Sequence, residues 1–248
     1  MVNHMKGVNW DDPYRYELIK EGEDQSISQT KNITSYTFHP DFSQLQDTIT
    51  IIDTPGFADT DGIEEDKKVF KKVHDFFQLS EGFSIKKVHL AAIVVPISRV
   101  RLDATEKYIY NEILSLFGND VGNNIVLLLT HMEPREPKQV LKAAKIAGIP
   151  VSVWYGFNNG YLFEEIPEDE ADRSLLCNVW SRCQEQCRLL FSDLESSKWS
   201  PVSLELTKDV LARRLSLEDS MRMMDQRISQ GISILVFLNV KVYLTLRF

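Results

Sequence analysis

What the 248-residue chain lacks narrows the choice of protein class before any motif is considered. Cysteine is scarce: Cys177, Cys183 and Cys187 fall close together on one helical-looking segment, with no C-x-x-C pair. That pattern excludes a disulfide framework and a zinc site, and it fits free thiols in a reducing, cytoplasmic setting. Basic excess is missing too, with 28 Lys and Arg against 36 Asp and Glu, a net charge of -8 and a pI near 5.2. Without cations to displace counterions, nucleic acid is excluded as a general partner. The local run Lys67, Lys68, Lys71 and Lys72 lies beside Asp66 and Asp75 on a helical stretch and reads as a solvated face. The opening MVNHMKGVNWDD has no apolar h-region, so no signal peptide is expected. The apolar tail 232–248 is short for a bilayer span and contains Lys241, which makes the case for a membrane weak. Internal repeats and low-complexity tracts are also wanting.

What remains is an ordinary soluble composition, 43% hydrophobic and 26% charged, long enough for one large domain with an appendage. After a helix remnant and a long loop over residues 1–29, alternation from Ile33 to Phe38 predicts a strand. A second strand follows at Thr48–Ile52, and the two read as a hairpin. Ile63–Gln78 has the one-sided apolar spacing of an amphipathic helix. Val88–Val95 is a continuous apolar run ending at Pro96, the pattern of a strand covered on both faces. A helix capped by Asp103, a buried strand at Asn124–Thr130, a helix at Pro137–Ala147 and a strand at Val151–Phe157 complete the series. Alternating strands and helices of this kind predict βαβ units and a mostly parallel sheet. Beyond Pro167 the pattern turns helical, over Asp172–Leu194 and again from Ser203 to about Gln230. In that last helix Val210, Leu217 and Met224 repeat at seven, with Met221, Ile228 and Leu235 interleaved and Arg214 interrupting. Such a stripe suits packing on the chain's own domain, a coiled coil, or contact with a second copy or another protein.

In open α/β sheets ligands bind beyond the carboxyl ends of strands. Three strand ends stand out. The first is Asp53-Thr54-Pro55-Gly56, where an acid at a strand tip can face a hydrated cation and glycine lets backbone approach a phosphate. An ordinary Pro-Gly turn would look the same. The second is Thr130-His131-Met132-Glu133, and the third Phe157-Asn158-Asn159. Taken together, their order resembles the immune-associated nucleotide-binding GTPases, relatives of septins and chloroplast-import GTPases within the P-loop GTPase superfamily. The resemblance covers roughly residues 1–165 and leaves a helical extension, 166–231, and the apolar tail.

That resemblance implies an α/β three-layer fold with GTP and Mg²⁺ as ligands. Asp53 would hold a Mg²⁺-bound water, with Thr30, or failing it Thr34, as the switch threonine on the metal. The Gly56 amide would meet the γ-phosphate. Thr130, His131 and Glu133 would line the guanine, joined by Asn158 and Asn159. Glu133 stands where the family has Asp, and its extra methylene displaces a carboxylate whose bidentate contact tolerates little error. The chain contains no Gly-Lys pair, hence no G-x-x-x-x-G-K-[ST] phosphate loop. The resemblance therefore reads the chain as N-terminally truncated, with Met1–Val8 matching the helix after that loop and its preceding strand absent. Phe57 stands where many GTPases orient the hydrolytic water with Gln. Impaired binding and hydrolysis follow. A nucleotide-free interaction module and a membrane-associated protein are the alternative functions. The D-x-D at Asp59 and Asp61 resembles aspartate-based phosphotransferases but follows no buried strand. The β-branched tail 234–246 suits a strand filling the gap left in the sheet.

Overall fold

The computed structural model describes residues 1–18, 32–40, 45–56, 68, 69, 71–73, 75–77, 85–98, 111, 119–132, 136–149, 153–196 and 198–245. Its centre is a parallel three-stranded sheet of β4 (Ala91–Pro96), β5 (Ile125–Thr130) and β6 (Trp154–Gly156), in that spatial order. The middle strand, β5, is apolar through Leu129, and alternate side chains enter opposite faces. Ile125, Leu127 and Leu129 meet Val140 and Ala144 of α2 (Lys138–Ile146) on one side. Val126 meets Cys187, Leu190 and Phe191 of α3 (Glu170–Glu195) on the other. Helix, sheet and helix thus form the three layers expected from the alternating pattern.

Local signals explain the helix ends. Asp169 caps α3 by accepting from the Ala171 and Asp172 amides at 3.0 and 3.1 Å, with Glu170 and Asp172 in the positive first turn. Gly148, at φ 83°, closes α2 in the left-handed region. Leu176, Trp180, Cys183, Cys187 and Leu190 recur at three and four residues, which gives α3 one buried face.

The expected hairpin is present as β1 (Thr34–Phe38) and β2 (Ile49–Asp53), paired antiparallel with Thr34 opposite Asp53. The turn and loop before it pack on α3 through a short helix, α1 (Val2–Met5). Asn3 and Tyr16 exchange two hydrogen bonds, and the Arg15 guanidinium lies 4.5 Å from the Trp180 ring centre. Residues 68, 69, 71–73 and 75–77 are helical with Val73 and Phe77 buried, in line with the amphipathic reading. The helix expected after Asp103 falls almost wholly outside the described residues.

Three expectations need correction. The apolar run at Val88–Val95 is two strands, because β3 (Lys87–Val88) leaves to pair antiparallel with β7 (Val202–Ser203). Nor is β4 covered on both faces: Val94 is 62% exposed while Ile93 and Val95 are buried. The tail is no strand, since α4 runs without a break from Leu204 to Thr245. Val and Ile cost a helix only a few tenths of a kcal/mol each, and no proline interrupts it. The chain divides into two compact units, Met1–Leu204 and Glu205–Phe248. Among the described residues no helix is long and apolar enough to cross a membrane.

Candidate functional site

The parallel strands end level with one another. In register, Pro96 stands beside Thr130, and the Ile97 amide donates to the Thr130 carbonyl at 3.0 Å. One step along, the Phe157 amide donates to the Leu129 carbonyl at 2.8 Å, and the Met132 amide donates back to the Phe157 carbonyl at 2.9 Å. These bonds set the Thr130-His131 and Asn158-Asn159 segments side by side beyond the sheet. The structure therefore brings together four of the candidate residues.

Their conformations are individually informative. Among the described non-glycine residues, His131 alone has positive φ, at 54°, and it is solvent-exposed. Side chains seldom adopt that region, and such conformations concentrate where a loop must aim a group at a ligand. Thr130 is half-buried, Asn158 half-buried and Asn159 exposed. The Asn158 Oδ1 accepts from the Gly160 amide at 3.3 Å, an Asx turn that fixes the side chain above its own loop.

The chain's other half-site is at the end of β2. Burial raises the Asp53 carboxyl above its usual value, and the Thr54 amide that donates to it offsets only part of the rise. Such a carboxylate gains from a nearby cation. Pro55 beside it is buried and Gly56 exposed, and a Cβ added to Gly56 would meet nothing within 4 Å. No cluster of three or more carboxylate, thiol or imidazole ligands occurs among the described residues. A single carboxylate does not suit a fully protein-ligated ion. It fits Mg²⁺, which keeps several waters and takes one or two carboxylates plus phosphate oxygens. Thr34 stands directly across from Asp53 in the hairpin register. Thr30 and Glu133 lie outside the described residues, as do Phe57, Asp59 and Asp61. Among the described residues no sheet pairing links β2 to the parallel strands, though Ile49 and Ile51 of β2 pack in one cluster with Val126 and Leu128 of β5. A cavity of about 180 Å³ is lined by His4, Met5, Leu45, Cys187, Phe191 and Glu195 among others, and includes none of the candidates.

Several residues that the sequence did not single out hold this site in place. The buried Cys183 thiol accepts from the Asn158 amide at 3.1 Å and contacts the Asn158 carbonyl at 3.4 Å. Gln186 Oε1 accepts from the Gly156 amide at 3.1 Å. The Tyr155 hydroxyl donates to Asp193 at 2.5 Å, and Lys198 pairs with the same carboxylate. Gly156 is itself required: a Cβ there would sit 2.7 Å from Cγ of Met132, the residue between His131 and Glu133. A glycine closing a strand was the legible signal of close approach. The α3 contacts join residues about 25 to 38 apart, and no local pattern announces them.

Residues 18–144, just over half of the chain, match the family model described as the AIG1 family. No curated protein sequence matches the chain significantly. Among solved structures, the chain is similar to Toc33 from Arabidopsis thaliana in complex with Mg²⁺ and GMPPNP, at 16% identity over 71% of this chain and 76% of that one, with a TM-score of 0.49. The same protein with GDP and Mg²⁺ shares 14% identity over 69% and 73% of the two chains, again at 0.49. Its dimerization-deficient mutant gives 14% identity, 62% and 69% coverage and a TM-score of 0.39.

Proposed function

The chain belongs to the AIG1 family, of immune-associated, P-loop GTPase type, and from that premise we propose that it is a guanine-nucleotide-binding G domain with a weak phosphate grip. The observation that carries the reading is the level ending of β5 and β6, with Thr130-His131 and Asn158-Asn159 adjacent beyond the sheet. In this reading those four residues, with Glu133, receive the guanine base. Asp53 accepts from water on the cation, Thr30 or Thr34 supplies a metal oxygen, and the exposed Gly56 amide points its donor at phosphate. When bound, Mg²⁺ supplies positive charge against the phosphate oxygens.

Charge-assisted hydrogen bonds contribute roughly 1.5–3 kcal/mol each. A chain without the backbone cradle and lysine of a phosphate loop forgoes at least two, about 4 kcal/mol or a thousandfold in affinity. Binding in the high micromolar range is the consequence. Hydrolysis is slower still, because the position of the water-orienting Gln holds Phe57.

Thermal shift with GTP tests the reading. At a ligand excess of about tenfold over Kd, the stabilisation is about 1.4 kcal/mol, or a few degrees in Tm. The shift should need Mg²⁺ and should vanish in Asp53→Asn. A shift of equal size with EDTA, or no shift at millimolar GTP, would overturn it.

A further inference from the structure

Among the described residues, three buried side-chain nitrogens have no hydrogen-bond partner: His4 Nδ1, Arg15 Nε and Trp180 Nε1. All three belong to one cluster. The centres of the His4 and Trp180 rings are 4.7 Å apart, and the Arg15 guanidinium carbon lies 4.5 Å from the centre of the Trp180 ring. His4 and Trp180 are each only 6% exposed, so bulk water does not serve them. A buried polar group left unpaired is costly, and three side by side mark a place that something outside the chain completes.

The chemistry of the three atoms narrows what that is. An indole Nε1–H and a guanidinium Nε–H only donate, and a neutral imidazole can present N–H from Nδ1 as well. Arg15 points Nη1 at the Asp12 and Tyr14 carbonyls, 2.8 and 2.9 Å away, and Nη2 at the Trp10 carbonyl at 2.8 Å. Those neutral acceptors fix the guanidinium without neutralising it, and it makes no ion pair among the described residues. The charges acting on His4 are likewise positive: after burial, the amino terminus, Arg15 and Arg188 hold its pKa down to about 4. A water would complete the hydrogen bonds and leave the guanidinium without a counter-ion, whereas an anionic oxygen supplies both. Room lies alongside, because His4 and Arg188 also line the cavity of about 180 Å³ beside α3. We infer that His4, Arg15 and Trp180 form a binding site for a small oxyanion of carboxylate type, with Arg15 as its charge partner and the Trp180 indole as a second donor. None of the three belongs to the proposed nucleotide site.

Formate is the probe, titrated into the full chain without nucleotide at neutral pH and constant ionic strength. The Trp180 indole and Arg15 Nε–H resonances, followed by nitrogen-edited NMR, should shift and saturate together, with a dissociation constant below about 10 mM. Trp180→Phe keeps the ring and removes one charge-assisted hydrogen bond, so formate affinity read at Arg15 should fall about tenfold. Arg15→Gln removes the charge from a part-buried side chain and should abolish saturation at the Trp180 indole, with circular dichroism reporting that the fold is kept. Wild-type shifts that rise linearly with formate overturn the inference, as does a Trp180→Phe variant that binds formate as tightly as the wild type. An indole proton that exchanges magnetisation with a bound water and ignores formate assigns the three donors to water and overturns it equally.

Discussion

His4 should make the protein acid-sensitive in a window set by its burial. The side chain is 6% exposed, its ring 4.7 Å from that of Trp180, and its Nδ1 has no hydrogen-bond partner. Burial, followed by the positive amino terminus, Arg15 and Arg188, lowers its pKa from 6.5 to about 4. The folded state thus binds the neutral imidazole, while the unfolded chain takes up a proton at 6.5. The stability it contributes is fully present above pH 6.5 and is lost as pH falls towards 4. A pKa displaced that far corresponds to roughly 3 kcal/mol, a large share of a typical domain's 5–15 kcal/mol. His4→Gln removes the titration and leaves every carboxylate in place. Urea unfolding of both proteins, followed by tryptophan fluorescence between pH 4 and 7, isolates the effect as a difference of differences. The wild type should lose about 3 kcal/mol more than the variant across that range. Parallel pH profiles would mean that a buried imidazole without a partner is not what faces Trp180.

Other outcomes follow from single contacts. Alkylation by iodoacetamide should reach half-exposed Cys177 quickly and spare buried Cys183 and Cys187, whose thiols burial pushes up, Cys187 to about 11, until the protein is unfolded. Cys183→Ala should cost about 1–2 kcal/mol and loosen the Asn158 loop, read as faster amide exchange there. Buried Asn124 donates through Nδ2 to the carbonyls of His89 and Ser200, so Asn124→Ala should lower stability by about 2–4 kcal/mol in chemical denaturation. Gly231→Leu meets no steric obstacle within 4 Å and removes a helix-interior glycine, so it should raise the helicity of α4 and stabilise it by about 1 kcal/mol, read by circular dichroism on heating.

The sheet and its hairpin were readable because burial on each face writes a period into the sequence. Alternation at Ile33–Phe38 and the solid apolar run at Ile125–Leu129 each have one physical explanation, and β1 and β5 are where those patterns put them. The run at Val88–Val95 was misleading for the same reason. Apolar residues on an uncovered face look the same as buried ones, and only the structure shows Val94 in solvent. The candidate residues Thr130, His131, Asn158 and Asn159 could be named from strand ends, while their shared level depends on register, which sequence does not record. Least legible were the supports from α3. Cys183 and Gln186 look like any residues on a helix face until tertiary packing brings them to Asn158 and Gly156. The β-branched tail misled because propensity is weak beside a heptad pattern that carries the helix on through Leu235.

On the proposed function, this chain recognises the guanine base while holding phosphate weakly. Titration calorimetry with Mg²⁺·GTP against Mg²⁺·ATP tests it most directly. A dissociation constant for GTP of about 100 µM or above is expected, with ATP weaker by at least about tenfold. Equal heats from the two nucleotides, or sub-micromolar retention of GTP, would contradict it.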